Sequence, residues 1–341
     1  MEKVRFAIVG TGLWGESHAL VYARDERVEL AAVCDVRGER AREVAQRYGA
    51  AKWCSDYREV MADPSIRAVS VATPDFAHAE IAVAAAQAGK HLLVEKPLAT
   101  SVQDCERIMA AARAAGVKLM VDFHNHWNPP LYAARQAIAA GEIGAPQLIY
   151  LRLHDTIFVP TGMLSWASQS TVGWFLGSHT VDLVCWLLGE RPRRVYALSA
   201  SRVLEERGIR TPDFYQGLLE FPSGAVANTD NGWIMPNTSP SIIDFQGRIV
   251  GSKGALSWNL SHHRALEKYT EDKGIYPDVL GKYDMHGGPT GFTLESIRHF
   301  VDCVLQDKEP LCTGEDGLWA TRIICAMEES VRQQRPVELA G

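Results

Sequence analysis

The most constraining feature of the chain is an apolar run ending in a glycine-spaced turn, followed by a helix and by a second apolar run ending in an acid. Val4-Arg5-Phe6-Ala7-Ile8-Val9 reads as a buried strand and leads directly into Gly10-Thr11-Gly12-Leu13-Trp14-Gly15 and a helix-compatible segment through Arg24. This is G-x-G-x-x-G between a strand and a helix, the setting in which the spacing signals dinucleotide binding. The first glycine permits the tight turn, the second lets the backbone approach a pyrophosphate, and the third allows close packing of helix on strand. Free N–H groups at the helix start face the anion. A second run, Val28 to Cys34, ends at Asp35, twenty positions beyond Gly15. An acid there is placed to accept hydrogen bonds from the adenosine ribose, and its charge would repel a ribose 2′-phosphate. NAD is therefore expected over NADP. Arg37 leaves NADP open, since a guanidinium can hold that phosphate or stack on adenine; it also reads as a solvated residue opening the next helix.

Length and charge agree with a soluble enzyme. A chain of 341 residues suggests about two domains on a scale of ~100 to 200 residues each. Lysine and arginine total 35 against 41 aspartates and glutamates, with no long basic run, so a nucleic-acid surface is not expected. No apolar stretch approaches the ~20 residues of a membrane span. The sequence opens on a core strand, which leaves no room for a signal peptide. Seven scattered cysteines with no C-x-x-C pair read as reduced structural thiols, and the expected location is cytoplasmic.

After Asp35 the chain alternates strand and helix. Gly38 to Tyr48 is a charged helix, Asp56 caps a short segment through Met61, and Arg67 to Ala72 is a strand. Phe76 to Ala88 is an alanine-rich helix, His91 to Glu95 a strand, and Ser101 with Asp104 forms a capping box for a helix ending before Gly116. Val117 to Phe123 is one more strand. Such repetition predicts an α/β Rossmann domain, a doubly wound parallel sheet over residues 1–123. Residues 124–341 change rhythm: a helix after Pro129-Pro130, then strands Gln147 to His154, Arg194 to Ala200, Phe214 to Phe221, Ala225 to Trp233, Ile242 to Val250 and Gly254 to Trp258. Clustered strands favour an α+β domain whose open, largely antiparallel sheet has one covered face. Val172 to Leu188 reads as a helix, and two C-terminal helices, Thr293 to Leu305 and Glu315 to Val331, cover this domain or return to the first.

Three motifs in order, Gly10 to His18, then Ala72-Thr73-Pro74-Asp75-Phe76-Ala77-His78, then Glu95-Lys96-Pro97, resemble the glucose-fructose oxidoreductase and inositol dehydrogenase family, often called Gfo/Idh/MocA. The resemblance spans nearly the whole chain. It implies a Rossmann domain followed by an open-faced sheet domain that often mediates oligomerisation, here a homodimer or homotetramer. It also implies NAD(H) or NADP(H) redox chemistry on sugars, cyclitols and related polyols. Cofactor contacts are implied for Gly10, Gly12, Leu13, Trp14, Gly15, Asp35, Arg37, Thr73, Pro74, His78, Glu95 and Lys96. A cis Lys96–Pro97 bond is common in the family, and proline makes it only mildly unfavourable.

Lys96 is implied in hydride transfer at a carbinol carbon. Oxidising a secondary alcohol needs a base for the hydroxyl proton and a stabiliser for developing alkoxide charge. An ammonium can supply the second role, and burial beside a cationic ring would lower its pKa enough to relay the proton as well. Gly177-Ser178-His179 resembles the family's aspartate-x-glycine-x-histidine motif, with His179 on the catalytic histidine position and suited to act as base. Four residues earlier, where the family has an aspartate, this chain has Phe175. That departure leaves three possibilities: a Lys96–His179 pair sufficient by itself, another carboxylate such as Asp182, or altered chemistry.

Further polar residues are candidates for substrate contact. His124 and His126, read as an extended segment sharing one face, follow the last Rossmann strand, where the family often has an asparagine and an arginine; His126 stands in place of the arginine. With no Cys/His cluster near them, no metal site is expected. Neutral imidazoles in place of arginine suggest an uncharged substrate. Trp166, Trp174 and Trp233 are candidates for stacking on a sugar ring, and His286, in a glycine-rich loop, for closing over it. Three functions follow: an NAD-dependent dehydrogenase for a secondary hydroxyl of a sugar, anhydrosugar, cyclitol or glycoside; an enzyme using transient NAD redox for elimination or epimerisation; and a non-catalytic NAD-binding regulator. Lys96 and His179 argue against the last, while Phe175 keeps it open.

Overall fold

The computed structural model describes residues 3–339. Two compact units emerge: residues up to His124 together with Leu294–Leu318, and Asn125–Thr293 together with the residues from Trp319 on.

The first unit is built on β1 (Val4–Val9), α1 (Leu13–Arg24), β2 (Val28–Cys34), α2 (Gly38–Tyr48), β3 (Lys52–Cys54), α3 (Tyr57–Ala62), β4 (Ile66–Val71), α4 (His78–Gln87), β5 (His91–Glu95), α5 (Val102–Ala115) and β6 (Leu119–Asp122). All six strands are parallel, in the order β3-β2-β1-β4-β5-β6. The order reverses between β1 and β4, and a crevice outside the strand ends at such a reversal is where this architecture binds ligands. Near-continuous burial along β1, β2, β4 and β5 explains why these segments carry apolar runs and not alternation. The Ser101 hydroxyl accepts from the Asp104 N–H, and the Asp56 carboxylate from the Arg58 N–H, so both caps expected from sequence form. Phe6, Tyr22 and Phe300 meet edge to face at 5.0 and 6.0 Å in the core. Truncating Phe6 there would cost ~3–5 kcal/mol.

The second unit contains α6 (Pro129–Ala139), β7 (Pro146–Thr156), α7 (Ser178–Leu188), β8 (Arg194–Ala200), β9 (Phe214–Glu220), β10 (Val226–Met235), β11 (Ile243–Gly251) and β12 (Ala255–Asn259). Two small hairpins follow, β13 (Lys268–Tyr269) with β14 (Gly274–Ile275) and β15 (Tyr283–Met285) with β16 (Gly288–Thr290). The last elements are α8 (Phe292–Gln306), α9 (Gly314–Gln333) and β17 (Val337–Glu338). The seven-stranded sheet runs β12-β11-β7-β10-β9-β8-β17, antiparallel throughout except for the parallel β7–β10 pair. One face, with Ile149, Leu151, Ala227, Leu219 and Val195, is buried; the other leaves Leu148, Tyr150, Leu198 and Leu218 exposed. The hairpins and β17 escape a sequence reading because segments of two or three residues show no periodicity.

Two local differences bear on function. His124–Trp127 is a 3-10 turn, not an extended segment, so with about three residues per turn His124 and His126 point in different directions. The helix expected from Val172 begins as a π-type turn over Gly173–Gly177 and becomes α-helical only at Ser178. Glycines at both ends of that turn weaken the ordinary α-helical alternative.

Candidate active site

In the first unit the glycine turn is shaped by contact, not only by flexibility. Gly10 has φ 97°, and a Cβ there would lie 2.4 Å from the Ala72 carbonyl oxygen; a Cβ on Gly15 would lie 2.0 Å from the Gly10 oxygen. Nothing lies within 4 Å of where a Gly12 side chain would begin, and Gly12 is exposed, as a pyrophosphate-facing position requires. The Thr11 N–H and hydroxyl donate to Asp35 Oδ2 at 2.9 and 2.6 Å, and the Arg37 N–H donates to Oδ1 at 2.9 Å. Burial raises the Asp35 pKa, but these bonds and the Arg37 charge outweigh it and hold the carboxylate below its ordinary value. Asp35 is thus fixed as an anion with lone pairs left for a ribose. Arg37 stays mostly exposed and leans on Asp35 at 3.4 Å. These residues fit a dinucleotide.

Lys96 follows the last residue of β5 and is 7% exposed, with a cis bond to Pro97. Position explains the burial: β5 lies between β4 and β6, so its end opens inside the unit. His78 holds the following turn, with Nδ1 2.7 Å from the Pro97 carbonyl and Nε2 2.9 Å from the Thr73 carbonyl. Its ring is engaged with two backbone oxygens and so joins the Thr73-Pro74 and Lys96-Pro97 segments. Trp14, half-buried in the glycine turn, stacks on His124 at 4.9 Å and 26°.

Glu95 belongs to a buried cluster that sequence reasoning missed. His18 Nε2 lies 3.1 Å from Glu95 Oε1 and 3.6 Å from Asp122 Oδ2, and Glu95 and Asp122 face each other in register on β5 and β6. The available signal was Asp122 closing an apolar strand beside another strand that also ends in an acid. Its pairing, however, depends on sheet order. Burial raises the Glu95 pKa, but the His18 hydrogen bond and the charges of His18, His124 and Lys96 bring it below its ordinary value.

In the second unit, His179 sits in the first turn of α7, 9% exposed. One turn on, Asp182 Oδ2 pairs with His126 Nε2 at 2.8 Å, and the His126 ring stacks on Trp186 at 4.4 Å and 20°. Phe175, where a carboxylate was expected, lies between Trp166, edge-on at 6.1 Å, and Trp233 at 6.1 Å. Trp233 is fully buried and donates Nε1–H to the Pro212 carbonyl at 2.7 Å, and Trp174 is 5% exposed; both are core residues. Trp166 is half-buried, and His286 is exposed at the β15–β16 turn with φ 55°. None of the seven cysteines forms a disulfide, and no helix among the described residues is long and apolar enough to cross a membrane.

Comparison with known proteins agrees with this geometry. The N-terminal model of the oxidoreductase family with an NAD-binding Rossmann fold matches residues 4–123, and that family's C-terminal alpha/beta domain matches 135–339. The chain is 28% identical to the scyllo-inositol 2-dehydrogenase (NAD(+)) of Bacillus subtilis (strain 168), over 99% of this chain and 96% of that one. It is 32% identical to the levoglucosan dehydrogenase of Pseudarthrobacter phenanthrenivorans over 56% of this chain and 52% of that protein. Among solved structures, GenD2 from gentamicin A biosynthesis in complex with NAD superposes with a TM-score of 0.87 at 26% identity, covering 100% of this chain and 97% of that one. The chain belongs to the Gfo/Idh/MocA family of NAD-binding oxidoreductases.

Proposed function

We propose that the protein is an NAD-dependent dehydrogenase acting on a secondary hydroxyl of an uncharged sugar, anhydrosugar, cyclitol or glycoside. The observation that carries this reading is a lysine buried at the end of β5 in the same unit as the glycine turn and the anionic Asp35. Relatives named for inositol and levoglucosan support the substrate class. Gly10, Gly12, Leu13, Trp14, Gly15 and Asp35 would hold the dinucleotide, with Arg37, Thr73, Pro74, His78, Glu95 and Lys96 completing its surroundings. NAD, when bound, supplies the hydride acceptor. Lys96 donates a hydrogen bond to the substrate oxygen and stabilises its developing charge, and His179 takes the hydroxyl proton.

The missing aspartate is replaced by an aromatic surface. Trp166 and Phe175 present ring area to the apolar face of a pyranose or cyclitol, while the Asp182 carboxylate serves to orient His126. We place substrate contacts at Lys96, His124, His126, Trp166, Asp182 and His286. Self-association as a homodimer or homotetramer would use the exposed sheet face bearing Leu148, Tyr150, Leu198 and Leu218, and the enzyme is expected in the cytoplasm. A panel of cyclitols, anhydrosugars and glycosides with NAD, read at the NADH absorbance, tests the reading. NADH formed in proportion to a ketone product supports it. Product formed without net NADH favours transient redox, and no turnover or hydride exchange with any polyol contradicts both.

A further inference from the structure

Deep in the first unit, polar side chains form an ordered chain. Tyr22 Oη lies 2.5 Å from Ser70 Oγ, Ser70 Oγ lies 2.9 Å from His18 Nδ1, and His18 Nε2 lies 3.1 Å from Glu95 Oε1. Burial raises the Tyr22 pKa far above the range in which it could ionise, so this end of the chain stays a neutral phenol. His18 bridges the Ser70 hydroxyl and the Glu95 carboxylate through its two ring nitrogens, with Nε2–H as the donor to Glu95. The chain ends on Glu95, held as the anion by its lowered pKa.

Asp122 is the residue left over. Glu95 Oε2 receives no hydrogen bond, Asp122 is served only by the Ser296 hydroxyl and by His18 at 3.6 Å, and both residues are enclosed, Asp122 at 0% and Glu95 at 4% exposure. The donor atoms of His18, Glu95 and Asp122 lie within 4.8 Å of one another. Two carboxylates that close, away from water, do not both ionise. A single added proton resolves the conflict by removing one of the two charges. A divalent cation held by the same three residues is the alternative to this proton.

We propose that Asp122 is kept as a carboxylic acid beside ionised Glu95, and that this shared proton makes Asp122 a positioning residue for Lys96. With Asp122 protonated, Glu95 is the carboxylate anion beside the Lys96 ammonium, so Lys96 is held at the strand end and its N–H groups remain available to the substrate oxygen. Ionising Asp122 would add a second anion that competes for that ammonium. The groups facing Asp122 are Glu95, His18, Lys96 and the Ser296 hydroxyl, with Tyr22 behind them. Burial first, then the Glu95 charge, push the Asp122 pKa from 3.8 up to about 7, against the pull of His18, Ser296 and Lys96. Because the folded value lies above the unfolded one, the stabilising contribution of Asp122 is complete below 3.8 and is lost as pH rises toward about 7.

The role in hydride transfer rests on the function proposed above; the proton does not, and the tests separate them. Infrared difference spectra of wild type minus Asp122→Asn at mildly acidic pH should show a carboxylic-acid carbonyl band, sensitive to deuterium, that vanishes as pH rises through neutrality. Glu328, another carboxyl raised by burial, is present in both proteins and cancels. Should Asp122→Asn fail to fold, Glu95→Gln serves instead: removing the neighbouring charge should move the Asp122 titration to lower pH. In wild type, kcat should fall as Asp122 ionises, and the Asp122→Asn profile should lack that limb. The proposal is overturned by absence of the band, by a titration unmoved in Glu95→Gln, by identical pH profiles, or by one divalent ion per chain in elemental analysis. The band together with normal turnover in Lys96→Ala would support the proton and remove the role of Lys96 in hydride transfer.

Discussion

The ends of β5 and β6 and the start of α7 solve the same problem, holding a reactive side chain still, in different ways. Lys96 follows a central strand of a parallel sheet, beside Glu95, Asp122 and His18, so its setting is charged and hydrogen-bonded. His179 follows a π-type turn, and the residue four positions before it is an aromatic packed between two tryptophans. The first region is electrostatically rich and geometrically regular; the second is irregular and flanked by aromatic rings, with the Asp182 carboxylate committed to His126. On the proposed function, charge control lies on the lysine side, while the histidine side carries ring surface at Phe175. Specificity should therefore respond to changes near α7, and pH dependence to changes near β5.

Variants that break this division come first. Lys96→Ala and His179→Ala should each lower kcat by ~10² or more, measured by steady-state NADH formation on the best substrate of the panel, since a positioned acid–base or polarising group contributes about that much. Near-normal turnover in either would remove that residue from the chemistry. Next in size is Asp35→Ala. Losing a charged hydrogen-bond acceptor should weaken NAD binding about tenfold and narrow the preference over NADP, as read by cofactor titration. Unchanged selectivity would count against Asp35 as the ribose ligand. The smallest effect sharpens the α7 side: Phe175→Ala should raise KM by roughly 3- to 10-fold with kcat little altered, the equivalent of ~1 kcal/mol of ring contact. A drop in kcat with KM unchanged would mean that Phe175 supports His179 and not the substrate.

Legibility in the sequence followed the same division. The glycine turn, Asp35, Lys96 and the alternation of strand and helix could be read because each depends on local spacing, and both capping residues formed as read. The strands of the second sheet were legible as a cluster of short segments, with Ile149, Leu151 and Leu153 buried along β7. What escaped depends on long-range placement. Glu95 and Asp122 become neighbours only through the β5–β6 register, and His18 only through the packing of α1 on the sheet. His126 had no readable partner until α7 brought Asp182 to it. The 3-10 turn over His124–Trp127 is too short for any period, so the shared face assigned to the two histidines was lost.

Single-turnover hydride transfer in Lys96→Ala, with NAD binding titrated in the same preparation, tests the central claim most directly. The account predicts that NAD still binds and that the rate of NADH formation falls by ~10² or more. A rate close to wild type, or a loss explained entirely by failure to bind NAD, would contradict it.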